Sequence, residues 1–249
     1  MEKLDIFYFS IHFKIVSLQI MGNLYDLLKQ DVRFTEALTA CMNCGVCTAI
    51  CPSAEFYKYE PRKICDIVQR KNEDEIEQLL RSETIWYCGE CMSCKARCPR
   101  GNTPGQVIIA LRKVSQQLGY FTESEKGRQQ FVIRKVIAQS ILDRGYCVHP
   151  DIVHPETHLE QGPIWKWYRD NIADIAPKLG ANYRGEGAGA LKTSNQADLD
   201  EIRKIFEATG AMKYYERIEH FSNIKKGNQS EEAYIDAVYS YNSGGHGRE

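Results

Sequence analysis

Eight of the ten cysteines fall in two short runs, "CMNCGVCTAICP" from Cys41 to Pro52 and "CGECMSCKARCP" from Cys88 to Pro99. Both read C-x2-C-x2-C-x3-C-P. Three thiolates at two-residue gaps can wrap one corner of a cubane iron–sulfur cluster. The fourth, followed by Pro, is carried out of that loop and ligates the other cluster when two motifs are present. The spacing therefore predicts one 4Fe–4S cluster on Cys41, Cys44, Cys47 and Cys98, and a second on Cys88, Cys91, Cys94 and Cys51. Gly45 and Gly89 follow cysteines where backbone amides should approach cluster sulfur, and a missing Cβ permits that approach. Structural zinc prefers two ligand pairs split by a longer loop, which this tight row does not supply. All eight ligand positions are filled, so a three-iron cluster is not indicated.

Bulk properties narrow the setting. The chain of 249 residues has 32 basic and 33 acidic side chains and a net charge of −1. Mixed charge of this kind gives no reason to expect nucleic acid or an anionic membrane as the main partner. Glu2, Lys3 and Asp5 open the chain with no secretory pattern, so a cytoplasmic location is expected, where thiols stay reduced and clustered ones hold metal. The run "IFYFSIHFKIVSLQIM" from Ile6 to Met21 is strongly apolar but short for a membrane span. Phe9, Ile11, Phe13 and Ile15 alternate with polar residues as in a half-buried strand. A packing arm, an upstream extension with Met21 as the start, and a membrane or partner contact remain open for this segment.

The elements that must position the cysteines read as helices. Leu24, Leu27, Leu28 and Val32 form an apolar stripe before the first motif. Between the motifs, Pro61 opens a helix with Ile64, Ile67 and Val68 on one face, and Ile76, Leu79 and Leu80 mark another. After the second motif, Thr103-Pro104-Gly105-Gln106 resembles a capping box. Val107, Leu111, Val114 and Leu118 then line one face, closed by Gly119. Beyond residue 120 further stripes appear: Ile133, Val136, Ile137 and Ile141; then Ile164, Tyr168, Ile172 and Ile175 after Pro163; then Leu199, Ile202 and Phe206 before Gly210. No stretch from 22 to 120 alternates like a strand, so the expected class is mainly α.

Two helices between Cys51 and Cys88 resemble the α-helical ferredoxin type, which also forms the cluster-bearing half of fumarate-reductase-like iron–sulfur subunits. More specifically, residues 24 to 120 resemble the C subunits of heterodisulfide reductases. The resemblance rests on both cysteine motifs, Pro61-Arg62-Lys63-Ile64, Trp86 before the second motif and Pro99-Arg100-Gly101 after it. The stretch from "GPIWKWYRD" to "IRKIFEATG" is similar to extended C subunits of the heterodisulfide-reductase-like complexes of sulfur oxidisers. The implied organisation is an N-terminal extension (1–21), an α-helical ferredoxin domain (22–120) and a helical C-terminal extension (121–249). The implied role is that of a non-catalytic relay, passing electrons between the flavin-bearing A protein of such a complex and its B protein, whose CCG domains act on disulfides. This chain has no adjacent Cys-Cys pair, so no catalytic residue is assigned to it. The alternative is an iron–sulfur subunit of a quinone-linked dehydrogenase, peripheral to the inner face of a membrane.

Cys65 and Cys147 are left over. Cys65 lies beside Ile64 and Val68 as a small buried thiol would. Cys147 is likewise expected to be a small buried thiol; the following His149, His154 and His158 offer a partner-binding loop or an added metal site as the alternatives. "GEGAG" from Gly185 lacks the spacing and the preceding strand of a dinucleotide fingerprint and reads as a connector. Trp165, Trp167 and Tyr168 suit either core packing or a partner contact. Lys95, Arg97, Arg100 and Arg112 could offset the charge of anionic clusters or simply face solvent.

Overall fold

A computed structural model describes residues 23–156 and 161–243, with side chains as far as residue 238. The expected strand near Phe9–Ile15, His158 and the Gly-rich tail after Ser243 lie outside the described residues. Within them the chain is helical, and β structure is limited to a single parallel bridge between Ala181 and Ala190. The chain packs as two units, one running to Gly127 and the other starting at Arg128.

In the first unit, α1 (Leu24–Lys29) and α2 (Val32–Ala37) lead into the first cysteine motif. The apolar stripe expected to continue to Val32 stops short. Asp31 caps α2 by accepting from the Arg33 N–H, which breaks the helix and leaves Val32 63% exposed while Phe34 and Ala37 go inside. One-turn helices α3 (Val46–Ala49) and α4 (Ser53–Phe56) flank Cys51. Next come α5 (Pro61–Arg70) and α6 (Glu73–Arg81), α7 (Ser93–Arg97) inside the second motif, and the long α8 (Pro104–Leu118). Ile64, Val68, Ile76, Leu80, Val107, Ile108 and Leu111 close one core, in which α8 packs against α2, α5 and α6.

Pro61 and Pro104 both occupy the first turn of their helices, where a missing N–H costs nothing. The capping box predicted at Thr103 does not form. Its side chain makes no cap, and its backbone N–H instead donates to Ala37 O at 2.8 Å, tying the start of α8 to the end of α2. Gly119 ends α8 with φ +82°, as expected.

In the second unit, α9 (Glu125–Ile133) starts in the first unit's last residues. A single wide π-helical turn (Arg134–Ala138) joins it to α10 (Gln139–Arg144). That turn rotates the register, so the expected stripe fails: Ile133 is exposed, whereas Phe131, Val132, Ala138 and Leu142 are buried. The helix expected after Pro163 divides into α11 (Ile164–Asp170) and α12 (Ile172–Ile175), with Ile164 exposed and Ile172 buried. Helices α13 (Gln196–Ala208), α14 (Ala211–Lys226) and α15 (Glu231–Ser243) complete it. Phe131 meets the Tyr234 ring edge-on, and Arg134 pairs with Glu219 at 3.1 Å over the Tyr215 ring.

Candidate metal centres

The two cysteine runs have the same backbone. In each, the residue before the second cysteine is left-handed (Asn43, φ 58°; Glu90, φ 55°), and so is the residue after it (Gly45, φ 84°; Met92, φ 57°). The N–H groups of Asn43 and Glu90 lie 3.4 Å from the sulfurs of Cys41 and Cys88. A short helix then begins, α3 or α7, and the two pack together. The counterpart of Gly45 is therefore Met92, where the sequence pointed to Gly89. Gly89 has no left-handed backbone to require it, and Met92 carries the strain that glycine spares its counterpart.

Two open hollows result, of ≈ 370 and ≈ 360 Å³ including space open to solvent. Cys41, Cys44, Cys47 and Cys98 line the first. Cys51, Cys88, Cys91 and Cys94 line the second, and Cys47 lines it as well. Apart from Cys47, which lines both hollows, and Cys65 in the first, the second hollow gathers three cysteines of the second motif with the last of the first, and the first hollow gathers three of the first motif with the last of the second.

The supporting helices repeat the same scheme. Gln69 on α5 accepts from Cys41 N–H at 2.6 Å and donates to Cys41 O at 3.1 Å. Arg112, at the corresponding position of α8, donates to Cys88 O at 2.6 Å and to Ile85 O at 2.7 Å, and pairs with Glu90. Ahead of each helix stand Tyr59 and Asn102. Asn102 accepts from Thr39 N–H at 3.0 Å and donates to Ala40 O at 2.9 Å, which fixes the approach to Cys41. Gly105 lets α8 close on the second motif, because a Cβ there would meet Met92 Sδ at 3.0 Å.

The two hollows differ in what else faces them. The first carries Arg62, Cys65 and Arg100, and the second has Gly105, Ile108 and Ser53 at the matching places. Arg62 is paired with Glu60 at 3.0 Å. Cys65 is 1% exposed, as its place beside Ile64 and Val68 predicts; it also fronts the first hollow, where burial and the nearby Cys41 push its pKa well up. Burial likewise raises the thiols of Cys47 and Cys94, while a hydrogen bond to Ser93 lowers that of the exposed Cys91. The Gly105 backbone lies beside Cys94 and opposes the effect of burial on its thiol.

The donor chemistry fits an iron–sulfur cluster. Each hollow gathers enough thiols for a cubane around an open space, five cysteines lining either one, with backbone N–H groups aimed at sulfur. Among the described residues, no three His, Cys, Asp or Glu side chains converge tightly enough for a single metal ion. Elsewhere, His149 is buried against the Tyr183 ring and accepts from Asp151 N–H, and burial lowers its pKa. His154 lies 3.5 Å from Arg169, and Cys147 is exposed, not buried as expected, so His149, His154 and Cys147 do not gather. The "GEGAG" stretch is folded around Asn182, whose amide donates to Glu186 O and Ala188 O. Trp165 is pinned to Val153 O at 2.9 Å and stacks on Tyr168, whereas Trp167 is 59% exposed. No helix among the described residues is long and apolar enough to cross a membrane.

Residues 37–102 match the 4Fe-4S dicluster domain family. The chain is 29% identical over 203 residues to the C subunit of the ferredoxin:CoB-CoM heterodisulfide reductase of Methanosarcina acetivorans, an alignment covering 78% of this chain and 70% of that one. It is 32% identical over 126 residues to the iron-sulfur C subunit of the CoB–CoM heterodisulfide reductase of Methanopyrus kandleri, covering 49% and 64%. It is also 32% identical over 108 residues to the second iron-sulfur C subunit of the corresponding enzyme of Methanocaldococcus jannaschii, covering 43% and 55%. The chain thus spans between 55% and 70% of the length of these relatives. They are the C subunits that the cysteine motifs, Pro61 to Ile64 and Pro99 to Gly101 resemble.

Proposed function

We propose that this chain is the electron-transfer iron–sulfur subunit of a heterodisulfide-reductase-type complex. It would hold one 4Fe–4S cluster on Cys41, Cys44, Cys47 and Cys98 and another on Cys88, Cys91, Cys94 and Cys51. The observation that carries the reading is that the last cysteine of each motif lines the hollow of the other motif, Cys98 with Cys41, Cys44 and Cys47, and Cys51 with Cys88, Cys91 and Cys94. When bound, such clusters supply one-electron transfer. The chain's own residues shape that chemistry. Left-handed Asn43, Gly45, Glu90 and Met92 turn the backbone so that N–H groups face sulfur. Gln69 and Arg112 anchor the leading cysteine of each motif.

Complexes of this kind place the chemistry of the disulfide in another polypeptide, so this chain connects rather than catalyses. Its partners are a flavin-bearing protein and a CCG-domain protein, in a compartment that keeps thiols reduced. The cluster-bearing segment is 22–120, followed by a helical extension. The names of the relatives favour this reading over a quinone-linked dehydrogenase component.

Anaerobic purification tests the proposal. The expected content is about eight irons and eight sulfides per chain, with a brown chromophore that dithionite bleaches. Full folding with zinc alone would overturn it, as would disulfide reduction at a useful rate by the isolated chain.

A further inference from the structure

We propose that the Tyr59 hydroxyl is a dedicated hydrogen-bond donor to the second cluster site, keeping its proton while it donates a hydrogen bond to a ligating thiolate there and raising that site's reduction potential. The inference rests on the ligation read above. Tyr59 is 2% exposed, lines the second hollow, and its hydroxyl has no hydrogen-bond partner in the protein. A buried polar group without a partner costs free energy that proteins rarely leave uncompensated. The ring has little freedom to seek one elsewhere. It meets Tyr87 edge-on at 6.2 Å, and the Tyr59 N–H is bonded to Tyr57 O at 2.7 Å.

The matching residue at the first hollow shows that the orphan hydroxyl is particular to the second. Asn102 spends its carbonyl on Thr39 and an N–H on Ala40. Tyr59 shares the lining of the second hollow with Cys88 and Cys51. A phenol keeps its proton at neutral pH, and toward a thiolate, which carries no hydrogen to give, it can only donate. A donor to a ligating sulfur stabilises the more negative, reduced state more than the oxidised one. One electron enters, no bond breaks, and the proton stays on the Tyr59 oxygen.

The test uses the full chain loaded anaerobically, with midpoints read by EPR-monitored redox titration. The second site's signal is the one altered in Cys91→Ser. In Tyr59→Phe the iron content should equal that of the parent. The second-site midpoint should fall by about tenfold in the reduction equilibrium, ~59 mV for one electron, while the first-site midpoint stays put. An exchangeable-proton coupling to the second site should disappear from the ENDOR spectrum. Placing 3-fluorotyrosine at position 59 makes the phenol a stronger donor and should move the midpoint upward, which loss of packing cannot do. Full iron with no shift at either site overturns the inference and leaves the ligation intact, and equal shifts at both sites also overturn it. If Tyr59→Phe fails to load, the fluorotyrosine chain decides, and an unmoved midpoint there counts against the inference. A parent chain without two clusters removes the proposed function first and this inference with it.

Discussion

Gln69 holds Cys41 at two points, accepting from its N–H at 2.6 Å and donating to its carbonyl at 3.1 Å. A single amide thereby fixes the first candidate ligand of the first motif from a helix that carries none of the eight candidates itself. Arg112 does the equivalent for Cys88 from α8, through the carbonyl alone, and adds Ile85 O as a second anchor.

This pairing predicts site-selective damage. Gln69→Leu strands both backbone groups of Cys41, at a cost of about 1–3 kcal/mol for half-buried groups left without partners. The first site's EPR signal should weaken and iron should fall toward about four per chain. Arg112→Leu should do the same to the second site. Equal loss of both signals in either variant would show that the clamps serve only the shared core.

Much of this architecture could be read from sequence, and the reasons are local. The cysteine spacing and the prolines at 61 and 104 act over a few residues, so helices and candidate ligands are legible there. Cys65 beside Ile64 already reads as buried, but which hollow it fronts depends on how α5 meets the first motif. Gln69 and Arg112 look like ordinary polar residues on amphipathic helices, and only tertiary packing turns them toward the cysteine backbone. Met92 escapes notice because a left-handed methionine has no compositional mark, whereas glycine advertises the conformation. The stripe from Ile133 to Ile141 fails because a π-turn adds a residue to the helix, and 3.6-residue periodicity cannot anticipate that.

Asp31 provides a pH-dependent contribution to stability. Its carboxylate is 5% exposed, caps α2, and is held by Arg33 and by Lys113 of α8 at 3.0 Å. The hydrogen bond from Arg33 leads the causes that depress its pKa well below the ordinary 3.8. A depressed carboxylate stabilises the fold fully above its unfolded pKa, and that contribution disappears as pH falls through the folded value. Asp31→Asn should therefore cost about 1–3 kcal/mol near pH 7, with a constant gap down to about pH 5. The gap should narrow below the ordinary carboxylate range. Denaturant melts followed by circular dichroism at several pH values would check this, and a gap that widens in acid would refute it.

The second unit should tolerate damage without cost to the candidate clusters. Phe131 is buried against Tyr234, with Lys135 over its ring. Phe131→Ala removes that packing, for an expected loss of about 3–5 kcal/mol. All eight candidate ligands lie in the first unit. Calorimetry should show a lower melting temperature for one transition while iron content stays at the parental value. Loss of iron along with the packing would mean that the two units fold as one.

The proposed crossing of ligands gives the sharpest contrast between variants. By sequence Cys51 belongs with Cys41, Cys44 and Cys47, yet it lines the hollow of Cys88, Cys91 and Cys94. Cys98 lines the other. Three intervening residues and a following Pro carry each of these cysteines out of its own loop, and the contact between α3 and α7 brings the two motifs together. Serine keeps the size of cysteine but offers a harder, more basic oxygen, so a shifted or three-iron signal is expected rather than complete loss. Cys51→Ser should perturb the same EPR signal as Cys88→Ser, and Cys98→Ser the same signal as Cys41→Ser. The four single variants divide the possibilities cleanly, because a motif that closed on its own cluster would pair Cys51→Ser with Cys41→Ser. That outcome would put all four cysteines of a motif on one cluster and would contradict the grouping of Cys98 with the first hollow and Cys51 with the second. A double variant, Cys51→Ser with Cys98→Ser, extends the contrast: crossed ligation predicts damage to both signals, each matching its single-variant form.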